Sequence, residues 1–337
     1  MYNYTWNKET REDFWTYERG DKKDTVPARI PITVLLEGPI AGGPFPVSDW
    51  RPPAVTTEFF EEVCPHPTVI SVADARGGDV SDSTGAEILA RVVEKLHSIE
   101  DNCVEFQDGS GMFFDYWLWA DGARMASTWS QLLESPIVTA WRWSDLVRKG
   151  VEANRAIVHP RIVPHDHHRN KLPGLLALHL RRGDFQQHCE HIGKWRLPHN
   201  AWNSHPEFVD TWNPPEGGGN GEATSELRAY YLKHCYPEID QIVERVEEVY
   251  QDAARQGRKL DRIYILTNGE YEWLEELKDA LGKVRRWESV ATSRDLEVNW
   301  EQKYVAQAID QVIATRAEVF LGNALTVTRA VALSSAP

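Results

Sequence analysis

The stretch LLALHLRRGDF, Leu175–Phe185, passes from apolar to charged halfway along, and the rest of the chain is interpreted around it. Its first half is a continuous apolar run, which is typical of a buried strand in a parallel sheet. Its second half brings two arginines, a glycine and an aspartate to the carboxyl end of that strand. Ligands of open α/β sheets bind just beyond the carboxyl ends of strands, and a guanidinium binds phosphate oxygens in a bidentate manner. We therefore predict that Arg181 holds a phosphate of a nucleotide ligand.

The rest of the chain alternates between strand and helix patterns. In the N-terminal half, buried strands are predicted at 68–73 and 103–106, and a helix between them begins at a capping box formed by Thr84 and Glu87. In the C-terminal half the predicted order is a helix over 224–256 broken at Pro237, strands at 263–266 and 284–287, a helix over 301–316 and a strand over 319–323. Right-handed crossovers make this pattern a parallel, Rossmann-like sheet.

Two segments of the chain are predicted to be irregular. Residues 158–173 are rich in proline, histidine and arginine, and we place a domain boundary there, which gives domains 1–160 and 161–337. Residues 190–221 contain two adjacent prolines and three adjacent glycines, and a loop of this length often serves as a lid or binding loop. At the end of the strand 263–266, Asn268 is predicted to cap the helix that follows.

Composition limits the classes of protein to which the chain can belong. The 337 residues carry a formal net charge of -14, and this argues against a non-specific nucleic-acid binder, which needs a basic face. A local basic pocket remains compatible with that charge. No run of 18 apolar residues occurs, so we predict no membrane span, and the first residues do not have the pattern of a signal peptide.

The four cysteines leave two interpretations open. None of them forms a Cys-x-x-Cys pair, which excludes zinc-ribbon and thioredoxin sites. Cys189 and Cys235 flank one segment near the arginines, and we favour a disulfide between them over the other pairings. The alternative is four buried free thiols in a reducing compartment.

Other interpretations of the polar motifs compete with a phosphate site. In the simplest, Arg182 pairs with Asp184 in a surface loop, and the arginines form only a structural ion-pair network. Residues 165–168, with three histidines and an aspartate, could ligate a metal, but adjacent residues rarely present converging ligands, and we interpret them as a solvated linker. Gly-x-Ser-x-Gly is absent, so nothing indicates a serine hydrolase.

Four motifs together resemble a known family. HLRRGDF at 179–185, after an apolar strand, is similar to the signature of the GDP-fucose protein O-fucosyltransferase superfamily. YILTN at 264–268 resembles a later strand and turn of that family, and 308–323 resembles its C-terminal helix and strand, in the same order and spacing. FFDYWLW at 113–119 resembles the fungal branch. The resemblance runs from about residue 25 to residue 323.

The resemblance implies a fold and an activity. The fold would be α/β and GT-B-like, with two Rossmann-like domains of parallel sheet that face each other across a cleft. The activity would be inverting transfer of fucose from GDP-fucose to a hydroxyl of a protein or glycan acceptor, without a metal or other cofactor. A nucleic-acid partner is not expected.

The resemblance also implies roles for particular residues. Arg181 would hold the β-phosphate and act catalytically by offsetting the charge that grows on departing GDP. The other expected donor-binding residues are His179 in the nucleotide pocket, Arg182 and Asp184 beside Arg181, Thr326 and Thr328 as donors to the phosphates, and Asp310 on the base-binding side. The alternative for Asp310 is a solvated carboxylate on the surface of a helix.

The chain departs from the family pattern in two places. The family's glycine-rich loop with Asn-Gln near the N-terminus is absent, so we expect that the chain starts after it and that its N-terminal domain is incomplete. A signal anchor would then lie upstream and would direct the protein to the secretory pathway. After Gly322-Asn323 the serine-rich turn of the family is replaced by Ala-Leu-Thr-Val-Thr-Arg, and no carboxylate matches a catalytic base. The alternative function is therefore a catalytically silent nucleotide-sugar or glycan-binding protein.

Overall fold

The computed structural model of the protein describes residues 34–37, 57–158, 171–183, 185–199, 213–299 and 301–323, and the backbone of four short strands before them. The strands are β1 Thr5–Trp6, β2 Thr16–Arg19, β3 Lys22–Thr25, β4 Ala28–Arg29, β5 Leu36–Glu37, β6 Thr68–Ile70, β7 Val104–Phe106, β8 Arg142–Trp143, β9 Leu172–Leu180, β10 Arg262–Thr267, β11 Ser289–Thr292 and β12 Ala317–Gly322. The α-helices are α1 Thr57–Val63, α2 Val72–Ala75, α3 Gly85–His97, α4 Tyr116–Ala120, α5 Gly122–Ala126, α6 Trp129–Glu134, α7 Pro136–Thr139, α8 Asp145–Ala153, α9 Arg155–Val158, α10 Phe185–Lys194, α11 Ser225–Cys235, α12 Ile239–Arg255, α13 Tyr271–Val284 and α14 Ala306–Arg316.

A four-stranded parallel sheet organises the C-terminal half. Its order is β11-β10-β9-β12, and β9 pairs with both β10 and β12. β9 is apolar on both faces because both faces are covered: Leu175 and Ala177 pack into one hydrophobic cluster, while Leu176 and Leu178 pack into another. The predicted parallel α/β sheet, with β9 as a buried strand, is confirmed.

Helices from different parts of the chain cover the two faces of this sheet. The first cluster contains residues of α8 and α14, and a Cβ on Gly150 of α8 would collide with the side chain of Ile309 on α14. The second cluster contains residues of α12 and α13. The connections from β9 to β10 and from β10 to β11 therefore run over one face, and α14 returns over the other face to β12. The order reverses between β9 and β12, which is the switch point where α/β sheets bind ligands.

The N-terminal half contains a smaller parallel pair. β6 and β7 pair in parallel, with α3 between them in sequence. The predicted capping box is present, since Thr84 accepts a hydrogen bond from the Glu87 amide and Glu87 accepts one from the Thr84 amide. Val80, Ile88, Leu118 and Met125 form a separate hydrophobic cluster around this region.

Three predictions about local structure are resolved by these bounds. The helix break at Pro237 is confirmed, because α11 ends at Cys235 and α12 begins at Ile239. The strand at 284–287 is wrong: α13 continues to Val284 and the strand that pairs with β10 is Ser289–Thr292. The irregular segment at 190–221 is wrong at its start, because α10 extends to Lys194 and buries Cys189, Ile192 and Gly193 against α11.

The hydrophobic core of the four-stranded sheet contains residues from before and after position 160. Val34 and, on α8, Val147 and Val151 are buried in the same cluster as residues of β9 and α14. The division into domains 1–160 and 161–337 stays a prediction. No helix in the described ranges is both long and apolar enough to cross a membrane.

Two disulfides join elements that are distant in sequence. Cys189 on α10 is bonded to Cys235 at the end of α11, which confirms the pairing favoured from the sequence, and Cys64 is bonded to Cys103. Cys189 and Cys235 are fully buried beside Leu227 and Tyr231. The disulfide thus closes the small core under α10, the helix that follows the two arginines.

Replacing Cys189 and Cys235 together with alanine should lower the free energy of unfolding by about 3–4 kcal/mol, because the cross-link restricts the unfolded chain. The sequence separation of the two cysteines, 46 residues, sets this magnitude. Denaturation by guanidinium chloride measures the change, with the Cys64 and Cys103 double variant, whose separation is 39 residues, as the matched comparison. An unchanged denaturation midpoint would mean that α10 and α11 are not cross-linked.

Candidate functional site

Arg181, Arg182 and Gly183 form what we call the arginine turn, directly after β9 at the switch point. Gly183 has a φ of 68°, a left-handed conformation that glycine adopts without a steric cost, and the chain turns there toward α10. The arginine turn therefore lies at the carboxyl edge of the sheet, between the end of β9 and the start of a helix. This is the edge that the sequence predicted.

The side chain of Arg181 is exposed and its fork is open. The guanidinium carbon lies 4.9 Å from the centroid of the Phe185 ring, the first residue of α10. Among the residues that the structure describes, no carboxylate lies within ion-pair distance of it. A guanidinium held over an aromatic ring at a sheet edge can accept an anionic ligand in two parallel hydrogen bonds.

Arg182 has the opposite environment. Its side chain is buried, with the guanidinium carbon 3.7 Å from the Tyr236 ring centroid and 4.5 Å from that of Trp273. One of its terminal nitrogens donates a 2.7 Å hydrogen bond to the Pro237 carbonyl. Burial lowers the pKa of this guanidinium, an effect that Tyr236 and Glu238 oppose. These contacts attach the turn to the segment between α11 and α12.

The pleat of β9 explains why the two arginines diverge. Successive side chains of a strand point to opposite faces, so Arg181 continues the face of Leu175 and Ala177. Arg182 continues the face of Leu176 and Leu178, and it meets Trp273 of α13 there. The structure therefore separates the two guanidiniums that the sequence had grouped in one phosphate site. Direct binding of the donor by Arg182 stays a prediction.

Asn323 holds the peptide of Arg181 from the β12 side. Its side-chain oxygen accepts from the Arg181 amide at 3.3 Å, and its side-chain nitrogen donates to the Arg181 carbonyl at 3.1 Å. The same nitrogen donates to the Cys235 carbonyl at 2.7 Å, and the Asn323 amide donates to the His179 carbonyl at 3.1 Å. The residue is buried, so little water competes for these bonds.

Asn268 holds the peptide of Arg182 from the β10 side. Its side-chain oxygen accepts from the Arg182 amide at 2.7 Å, and its nitrogen donates to the Arg182 carbonyl at 3.2 Å. Thr267 adds a 2.5 Å hydrogen bond from its hydroxyl to the Leu180 carbonyl. The prediction that Asn268 caps the next helix is wrong, because α13 has Glu270 at its N-cap.

His179 lies on the same face as Arg181 at the end of β9. It is partly buried, and both burial and the neighbouring Arg181 charge lower the pKa of its imidazole. A lowered pKa keeps the ring neutral at neutral pH, where one nitrogen can donate and the other can accept. Its predicted place in a nucleotide pocket is compatible with that position.

Asp310 is not a solvated helix carboxylate. It projects from α14 toward the sheet and accepts a 2.5 Å hydrogen bond from the Tyr264 hydroxyl in β10. Burial raises the pKa of Asp310 to about 6, although hydrogen bonds from Tyr264 and Ser293 lower it. Burial and the nearby Asp310 charge also raise the pKa of the Tyr264 phenol, so the phenol is the donor. Asp310 and Tyr264 lie on the face of the sheet that carries His179 and Arg181.

The raised pKa of Asp310 predicts how stability depends on pH. The folded state binds this proton more tightly than the unfolded chain, whose carboxyl has an ordinary value of 3.8, so its contribution is full at low pH and is lost as pH rises through about 6. Relative to Asp310→Asn, the wild-type free energy of unfolding should fall by about 3 kcal/mol over that range. Parallel urea titrations of both proteins measure it, and parallel curves would contradict a buried carboxyl here.

Other predicted site residues lie outside the described part of the chain. They are Asp184, Thr326 and Thr328, as well as the histidine-rich residues 165–168. Within the described residues no group of three or more histidine, cysteine, aspartate or glutamate side chains could hold a metal ion. The expectation that the activity needs no metal stays a prediction.

The sequence missed Asn268, Asn323 and Thr267 as parts of the site. Each follows or ends a strand that flanks β9, so a signal was present in their positions: polar residues with both donors and acceptors at adjacent strand ends. Which backbone groups they bind depends on strand order, and local sequence does not specify that order.

The fold and the turn together define a class, an α/β protein with an open basic site at the switch point of a parallel sheet. A family model described as O-FucT, GDP-fucose protein O-fucosyltransferase, matches residues 133–328, more than half of the chain, and this range includes α8, the whole four-stranded sheet and the arginine turn. The chain belongs to the GDP-fucose protein O-fucosyltransferase family. A search of curated proteins found no match.

Proposed function

We propose that the protein is a glycosyltransferase that transfers fucose from GDP-fucose to a hydroxyl of a protein acceptor with inversion at the sugar. One observation carries this proposal: the open guanidinium of Arg181, with its backbone held by hydrogen bonds at the switch point of the sheet. Family membership supplies the donor and the class of acceptor. No metal or other cofactor takes part in the proposed reaction.

Arg181 would act on the leaving group. When the bond between the fucose C1 and the β-phosphate oxygen breaks, negative charge grows on GDP, and a guanidinium in place beforehand offsets that charge without reorganisation. Such a contact is worth about 2–4 kcal/mol of transition-state stabilisation. α10 begins at Phe185, two residues after Gly183, and the dipole at the N-terminus of a helix favours the same anion.

The remaining donor contacts are proposed from position. His179 would line the nucleotide pocket as a neutral ring. Asp310 would accept from the guanine, because a carboxylate that accepts from Tyr264 and Ser293 has further lone pairs that suit the N–H groups of the base. Arg182 would support the turn through Tyr236 and Pro237. Asp184, Thr326 and Thr328 are proposed as further contacts on the resemblance alone.

The proposed architecture is GT-B-like, with the four-stranded sheet as the donor-binding half. The parallel β6–β7 pair, with α3 and a hydrophobic cluster of its own, supports a second half before it. Membership of the fungal branch remains part of the proposal.

Two disulfides support an oxidising compartment for the mature protein, since such bonds form and persist on the secretory route. A protein acceptor that is fucosylated on that route would meet the enzyme there. The compartment and the acceptor are parts of the same proposal.

Arg181→Ala should weaken the binding of GDP roughly ten- to hundredfold, because a charged, bidentate contact to the β-phosphate is lost. The binding of GMP, which lacks that phosphate, should change little. Isothermal titration of both nucleotides measures this difference, and Arg181→Lys, which keeps the charge but not the fork, should be intermediate.

Arg245→Ala is the matched control for the loss of one arginine. Arg245 is exposed on α12 and pairs only with Glu248 among the described residues, so it should leave both affinities unchanged. Equal binding of GDP by wild type and Arg181→Ala would contradict the proposed function.

Turnover separates the enzyme from the catalytically silent alternative. With GDP-fucose and extracts of secreted glycoproteins, an enzyme releases GDP and labels an acceptor with radioactive fucose, and Arg181→Ala abolishes the labelling. Tight binding of GDP-fucose without any transfer would favour the alternative.

A further inference from the structure

We propose that Asn268 and Asn323 are positioning residues for the donor phosphate. They would act through Arg181, by fixing the backbone of the arginine turn so that its guanidinium is already in place when the nucleotide arrives. This inference rests on the proposed function, because it needs a phosphate ligand at Arg181.

At the end of β9, the backbone groups of the chain lose their partners in the neighbouring strands. Inside the sheet, β9 pairs with β10 from Leu175 onward and with β12 from Leu176 onward. The last pairs are formed by Leu180 with Thr267 and by His179 with Gly322. Beyond those pairs Arg181 and Arg182 leave the ladder, and their amides and carbonyls need new partners. A side-chain amide can replace a peptide there because it carries a donor and an acceptor in one plane.

The two asparagines supply that replacement from opposite sides. Asn323, just after β12, pairs with both the amide and the carbonyl of Arg181. Asn268, just after β10, does the same for Arg182. Two consecutive residues are therefore held through four hydrogen bonds, so rotation of the peptide between the two arginines would break contacts on both sides of β9.

A second set of contacts fixes the turn from behind. The side chains of Asn323 and Arg182 each donate to the segment that joins α11 to α12, at the carbonyls of Cys235 and Pro237 respectively. Cys235 is bonded to Cys189 on α10, the helix that follows the turn. With the backbone held on three sides, the free part of the turn is the side chain of Arg181, whose guanidinium lies over Phe185.

The chemistry of the amide is specific for this task. In Asn323→Asp, a carboxylate can still accept from the Arg181 amide, but it has no proton for the carbonyls of Arg181 and Cys235, and its charge repels them. Loss of either asparagine would weaken nucleotide binding even if that asparagine does not contact the ligand. A mobile Arg181 must be ordered upon binding, which weakens the contact that depends on it.

The test compares the affinities for GDP and GMP in Asn323→Ala and Asn268→Ala. If the asparagines position Arg181, each variant should bind GDP about tenfold more weakly and GMP within about twofold of wild type. A residue that served only to stabilise the fold would change both affinities alike, or neither. The ratio of the two affinities therefore separates positioning from general structure.

Asn154→Ala is the matched control. Asn154 is also fully buried, and its side chain makes the same kind of clasp, donating to the Gly150 and Glu297 carbonyls and accepting from the Glu297 amide. Its loss should lower thermal stability as much as Asn323→Ala does and leave the ratio of GDP to GMP affinity unchanged.

A double-variant cycle completes the test. Once Arg181 is alanine, no guanidinium remains to be positioned, so adding Asn323→Ala or Asn268→Ala should not weaken the binding of GDP further. Additive losses would overturn the inference and would indicate that the asparagines contact the nucleotide themselves. Asn268 is exposed at the edge of the sheet, so its variant provides the answer even if Asn323→Ala does not fold.

The result distinguishes the two proposals. If wild type prefers GDP over GMP and Arg181→Ala loses that preference, while the asparagine variants keep it, the positioning inference is wrong and the proposed function stands. If wild type shows no preference for GDP, both proposals are wrong.

Discussion

Backbone hydrogen bonding at the end of β9 is the constraint on which the rest of this structure depends. A strand that is buried on both faces must pair each of its peptide groups, and it must also deliver a charged turn to solvent only one residue later. The flanking strands β10 and β12 meet both requirements, because each is followed by an asparagine whose side chain pairs with the backbone of one residue of the turn. The site is thus built around the backbone amides and carbonyls of Arg181 and Arg182, which lie beyond the last strand pairs of β9.

The position of the two arginines at the end of β9 also explains why one is exposed and the other is buried. The pleat sends them to opposite faces, and only one of those faces is open. Arg182 meets Tyr236 and Trp273 and is buried, which is tolerable because a guanidinium stacks well on aromatic rings and keeps a carbonyl partner. Arg181 stays exposed in a chain with a formal net charge of -14. The local reversal of charge at the sheet edge is what an anionic ligand would recognise.

Much of the fold follows from local patterns, and the exceptions have identifiable causes. The capping box at Thr84, the break at Pro237 and the parallel sheet were predictable because each rests on local chemistry or on the period of apolar residues. The strand at 284–287 was misplaced because Val-Arg-Arg-Trp is too short to show a period, and only pairing with β10 selects Ser289–Thr292. Asn268 was mistaken for a cap because a polar residue before a helix fits both roles.

The sequence by itself determined that an apolar strand carries arginines to a sheet edge, and its motifs identified the family to which the chain belongs. Only the tertiary structure decided which arginine is open and which is buried, because that depends on the helices packed on each face. It also decided that Asn268 and Asn323 lie on opposite sides of β9 and bind adjacent residues of the arginine turn, although they are far apart in sequence. Strand order places them there, and no local pattern of residues encodes strand order.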